Sequence, residues 1–164
     1  MSEGHFYYLN VGSNIEPEIH LPQVVERIKQ YGSWKAHSSA WESGPVGSSG
    51  PNFLNACLYL EFGLLPAELK EKVIQPIESA LGRLRSPDAN APRTIDIDMT
   101  MCDEVPLQLE HWNYAFVVVP MAELAPTLIH PILHEPLIQV AERMRAETRI
   151  IKRTEVLKAS WNNG

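Results

Sequence analysis

Cysteine is scarce in this chain: Cys57 and Cys102 are the only two among 164 residues. Both lie in apolar runs and no CxxC spacing exists, which excludes a disulfide-built scaffold and reads as buried thiols in a reducing compartment. Basic charge is also short. Lys and Arg number 14 against 20 Asp and Glu, for a net charge of −6, the opposite of the balance a general nucleic-acid binder carries. No apolar run reaches the length of a membrane span, and the N-terminus shows no signal-peptide pattern. The expectation is a cytoplasmic protein with neither nucleic acid nor membrane as partner. Internal repeats, low-complexity tracts and linkers are absent, so residues 1–164 read as one domain.

What is present builds a core: 45% of residues are hydrophobic. HFYYLNV at 5–11 reads as a strand, ended by Gly12-Ser13-Asn14. A helix follows over about 21–31, apolar at Val24, Val25 and Ile28 and stopped by Gly32. Alternation at 34–42 predicts a second strand, the Gly/Pro/Ser-dense 43–51 a loop, and FLNACLYLEF at 53–62 a third strand, the two forming a wide hairpin. Pro66 opens a helix to about Leu81 that Pro76 should kink. Residues 95–102 read as a fourth strand. The order β-α-β-β-α-β is the ferredoxin-like pattern, an α+β antiparallel sheet with helices packed on it. A C-terminal helical extension follows: a short helix at 117–124 interrupted by Pro120, then a better one at 136–146. Residues 150–161 are ambiguous.

The chemistry concentrates in GRLRSPDANAPRTIDIDMTM, residues 82–101. Asp96 and Asp98 share one strand face while Ile95, Ile97 and Met99 turn to the core. Aspartate is depleted in strands. Two like charges roughly 7 Å apart on one face call for something positive between them, and hard carboxylate oxygens suit Mg²⁺. The bland reading is a pair of surface charges answered by lysine. Arg83, Arg85 and Arg93 flank a small-residue loop. Guanidinium forks match phosphate oxygens, although Arg83 and Arg85 also suit a helix C-terminus and all three could simply salt-bridge the carboxylates. Phe53 and Asn55 share a face of the third strand. A buried amide there needs partners, which a heterocycle edge or a neighbouring loop supplies equally well. His111 and Trp112 follow the acidic strand. His130 and His134 have a helical metal spacing, but Pro131 between them makes them structural.

These residues resemble a known family. Val11-Gly12-Ser13-Asn14, Gly44-Pro45-Val46-Gly47, Phe53-Leu54-Asn55-Ala56, Gly82-Arg83-Leu84-Arg85 and Pro92-Arg93-Thr94-Ile95-Asp96-Ile97-Asp98 together resemble 6-hydroxymethyl-7,8-dihydropterin pyrophosphokinase, of the folate pathway, over nearly the whole length. The resemblance implies a monomeric ATP-dependent diphosphotransferase with two small-molecule substrates, ATP and the hydroxymethyl dihydropterin. It implies that Asp96 and Asp98 hold two Mg²⁺ ions on the ATP phosphates, and that Arg83 and Arg93 contact and neutralise the transferring group. Phe53 and Phe116 would sandwich the pterin, Asn55 would bind its edge, and Ser43, Gly44 and Val46 would complete that pocket. Glu78, Arg85, Ile97, His111 and Trp112 would lie on the nucleotide side.

The chain also departs from the family pattern. Ala89 and Asn90 stand where the family usually has Arg then Trp, Tyr114-Ala115 where an Arg often precedes the aromatic residue, and Gly44 where Pro is common. Each lost cation would remove roughly 1–3 kcal/mol of charge-assisted hydrogen bonding. The competing expectation is therefore a pterin- or nucleotide-binding paralogue with weak or lost transfer. An RNA-binding reading of the same fold lacks the strand aromatics and basic sheet face it needs.

Overall fold

The computed structural model describes residues 4–45, 50–81 and 95–157. Strand alternation sets the architecture. In β1 (His5–Ser13), Tyr7, Leu9 and Val11 are buried in one core while Tyr8 packs against a second. α1 (Pro17–Lys29) brings Leu21, Val24, Val25 and Ile28 to the first core at the spacing of a single helical stripe. Gly12 and Ser13 do not end the strand as expected. Both stay in register with β4, and Gly12 with β5 too.

The strand expected at 34–42 is two strands, β2 (Ser33–His37) and β3 (Ala40–Ser43). Side chains take over the backbone's role at the break. Ser38 Oγ accepts the Cys57 N–H at 2.8 Å and donates to the Ser39 carbonyl at 2.7 Å, while Glu123 accepts the Ser39 N–H and, at 2.6 Å, the Trp41 indole N–H. β4 (Phe53–Phe62) pairs with β1 on one side and with both β2 and β3 on the other.

The next helical stretch joins α2 (Pro66–Leu69), a π turn (Lys70–Ile74) and α3 (Gln75–Ala80). Pro76 has no N–H for the turn before it and its ring crowds the carbonyl four residues back. The chain answers by widening the preceding turn, so the Gln75 N–H reaches the Lys70 carbonyl five residues back. The kink expected from Pro76 is thus a π turn upstream of it.

β5 (Asp96–Cys102) and β6 (Val105–Pro106) precede a 3-10 helix (Leu109–Asn113), α4 (Ala115–Leu124), α5 (Leu137–Glu147) and β7 (Ile150–Arg153). α4 runs through Pro120, because only one early bond, to the Phe116 carbonyl, is forfeited while Val117 and Val118 both bond to Tyr114. The tail expected as ambiguous contributes β7, an edge strand on β3.

Among the described residues the sheet runs β6-β5-β1-β4-β3-β7, with β2 also on β4, and every pairing is antiparallel. α1, α2 and α3 cover one face. The helical extension, α4 and α5, covers part of the other with Trp41, Cys57, Met101 and Trp112. His130 is structural: fully buried, it donates Nε2–H to the Trp112 carbonyl at 2.7 Å and accepts the Ile132 and Leu133 N–H groups on Nδ1.

Candidate active site

Cross-strand neighbours share a face of a sheet, and the register assembles the site. Gly12 of β1 lies opposite Asp96 of β5 on one side and opposite Asn55 of β4 on the other, and Asn55 opposite Trp41 of β3. Asp96, Gly12 and Asn55 therefore form one row. At the ordinary strand spacing the Asp96 and Asn55 backbones stand about 10 Å apart. The next row places Asp98, Asn10 and Cys57 side by side. Gly12 leaves the centre of its row low. A Cβ there would come within 2.3 Å of Asn55 Oδ1, so only glycine lets the Asn55 amide lie over the β1 backbone.

Asn55 and Asn10 are both buried, and Asn10 Nδ2 donates to Asn55 Oδ1 at 3.3 Å. Asn10 Oδ1 is buried with no hydrogen-bond partner among the described residues, as is Ser43 Oγ. Buried acceptors without donors are costly, so this corner is built to receive a ligand's N–H or a water. Asn10 escaped the sequence reading. Its signal was a lone amide in an otherwise aromatic and aliphatic strand.

Beside this corner lies a cavity of about 380 Å³ lined by Glu78, Asp96, Ile97, Asp98, His111 and Phe116, together with Lys70, Ile74, Met99, Gln108 and Tyr114. Three carboxylates thus face one lysine and one histidine, a donor set for cations. Glu78 is buried on α3 and accepts the Ile97 N–H at 3.1 Å. It grips the backbone of the residue between the two aspartates and so fixes how both project. The π turn aligns Lys70, Ile74 and Glu78 along the same wall. On the opposite side the rings of Tyr114 and Phe116 stack, with centroids 5.1 Å apart and planes 16° from parallel. His111 is half-buried, its Nε2 4.0 Å from Glu110 Oε1.

The structure brings Glu78, Asp96, Ile97, Asp98, His111 and Phe116 together, and sets Ser43, Phe53 and Asn55 on adjoining strands, with Ser43 paired to Phe53. Gly44 follows Ser43 as an exposed loop residue. Trp112 is not among the residues lining this cavity: its ring is fully buried, donates Nε1–H to the Leu107 carbonyl at 3.1 Å and packs edge-on against His130, so it anchors the turn that carries His111. Val46, Arg83, Arg85 and Arg93, with the 86–91 loop, lie outside the described residues.

The family model for 7,8-dihydro-6-hydroxymethylpterin-pyrophosphokinase matches residues 8–126. The 2-amino-4-hydroxy-6-hydroxymethyldihydropteridine pyrophosphokinase of Aquifex aeolicus is 34% identical over 140 residues, covering 79% of this chain and 86% of that protein. The enzyme of the same description from Methylorubrum extorquens is 36% identical over 134 residues, covering 74% and 84%. In three dimensions the chain is similar to wild-type Plasmodium falciparum HPPK-DHPS crystallised with SDX-DHP, at a TM-score of 0.70 and 9% identity. That match covers 90% of this chain but 45% of the longer one, and it speaks for the fold alone. Register, cavity and sequence likeness converge: the chain belongs to the 7,8-dihydro-6-hydroxymethylpterin-pyrophosphokinase family.

Proposed function

We propose that this protein transfers pyrophosphate from ATP to the hydroxymethyl group of 6-hydroxymethyl-7,8-dihydropterin, a step of folate biosynthesis that releases AMP. The observation that carries the reading is the row Asp96–Gly12–Asn55, which sets a carboxylate pair and a buried amide corner side by side on one sheet face.

The donor set fits Mg²⁺. Asp96 and Asp98 offer hard oxygens at the wall of a polar cavity, the ligands Mg²⁺ takes beside phosphate oxygens. Two ions held there would neutralise polyphosphate charge during transfer. The chain's own residues do the rest. Glu78 holds the Ile97 backbone, keeping both aspartates on one face. Asn55 and Asn10 present a donor and an acceptor to the edge of a flat heterocycle, and Phe53 and Phe116 offer its faces. Arg83 and Arg93 are assigned to the phosphates. The substrate hydroxyl oxygen attacks the β-phosphorus, the bond to the oxygen of the α-phosphate breaks, and AMP leaves with that oxygen. The hydroxyl proton passes to solvent. Such transfer depends on positioning and charge neutralisation more than on a strong base.

In this reading the enzyme acts as a cytoplasmic monomer on two small molecules. The test is AMP formation, expected only with pterin, ATP and Mg²⁺ together. Asp96→Ala should abolish it, and a retained rate would refute the metal role. The second reading, a binding paralogue, draws on Tyr114, whose ring covers one face of Phe116, and on the uncharged Ala89 and Asn90. Calorimetric pterin binding without single-turnover AMP would favour it; no pterin binding at all would remove both.

A further inference from the structure

We infer that His5, Cys102 and Asp103 form a second metal site, of zinc type, at the end of the sheet remote from the cavity. Strand pairing gathers the three residues. β1 starts at His5 and β5 ends at Cys102, with Tyr7 in register with Cys102. One ligand atom of each, His5 Nδ1, Cys102 Sγ and an Asp103 carboxylate oxygen, lies within 4.8 Å of the others. Imidazole, thiolate and carboxylate, with water in a fourth position, is a donor set that suits Zn²⁺ and not Mg²⁺.

The surroundings are those of ligands held in place. Asp103 Oδ1 accepts the Phe6 N–H at 2.8 Å, which aims Oδ2 at His5 Nδ1, 2.6 Å away. Asp103 and Glu104 both have positive φ, 49° and 67°, so a tight turn presents the carboxylate. The sulfur is buried beside the Tyr7 hydroxyl, the imidazole is half-buried, and the carboxylate is open to solvent. At present a proton joins His5 to Asp103. An entering ion would displace it and the thiol proton, and would open that pair to about 3.3 Å, the separation of two tetrahedral ligands. A change of this size is within reach of an exposed hairpin turn.

The experiment adds Co²⁺ to the full chain in excess Mg²⁺, which occupies the hard-oxygen sites. A thiolate–cobalt charge-transfer band should appear, persist in Cys57→Ala and vanish in Cys102→Ser. Competition with a chromophoric chelator should give one Zn²⁺ per chain, bound more tightly as pH rises and weakened more than about tenfold in His5→Gln and Asp103→Asn. No band in the wild type, a band that survives Cys102→Ser, or unchanged Zn²⁺ affinity in the His5 and Asp103 variants would overturn the site.

Discussion

A single methyl group at position 12 tests how the buried amide corner, proposed to hold the pterin, is built. In Gly12→Ala the new carbon meets the Asn55 side-chain oxygen, and the amide, being the softer partner, turns away from Asn10. Losing one well-placed hydrogen bond is worth about 1.4 kcal/mol. The KM for the pterin should therefore rise about tenfold while the KM for ATP stays near its wild-type value, measured by AMP release with each substrate varied in turn. The residues of this site differ in how plainly the sequence announced them. Asp96 and Asp98 stood out because two charges break a strand's apolar alternation together. Asn10 breaks it alone, among aromatics, and went unseen. Trp112 was grouped with its neighbour His111, yet the structure sends their side chains different ways. The two share a 3-10 turn, where consecutive side chains diverge by about 120°, so one reaches the cavity and the other the core.

Elements were legible where hydrophobic period and punctuation agree. β4 and the acidic strand fall where alternation put them, and Pro66 opens its helix. The π turn was not legible, since it is a choice of hydrogen-bond partner and leaves no period of its own. The Ser38–Ser39 break and β7 depend on partners far along the chain, Cys57, Glu123 and β3. The π turn has a functional consequence. Restoring an N–H with Pro76→Ala removes the cause of the wide turn, and an α-helical register would rotate Lys70 by about 100° relative to Glu78. The melting temperature should hold or rise, while the KM for ATP increases several-fold as the cavity wall loses its alignment. A variant with unchanged kinetics would show that the wide turn has no part in the site.

At the scale of the molecule, a charged clasp ties the C-terminal edge to the sheet. Arg153 of β7 pairs with Glu42 of β3, with Glu155 and, at 3.6 Å, with Glu18 of α1. Glu42 also accepts from Asn52 at 2.9 Å. The Asn52 hydrogen bond first, and then Arg153, hold the Glu42 carboxyl below its ordinary range. A depressed folded-state value stabilises the fold above the unfolded glutamate value, about 4.3, and that contribution disappears as pH falls through the folded value. Thermal melts from pH 7 to pH 3 should show a shallower acid limb in Glu42→Gln. At pH 7 the variant should melt about 3 °C lower, as expected for a partly exposed pair worth about 1 kcal/mol.

The strand that carries the carboxylates is also one the chain brings home from far away. Thr100 bonds to Tyr8 across 92 residues of sequence, whereas Cys57 bonds to Ser38 across 19. Closing the longer loop costs more entropy, and distant pairings form late. The hairpin of β2 and β3 on β4 can assemble without β5, but then no aspartate stands beside Gly12. Under the proposed function, a partly folded chain would have nothing with which to grip ATP and its metal, and these ligands would stabilise only the completed fold. On that same proposal, substrate binding would double as a latch on the β1–β5 pairing.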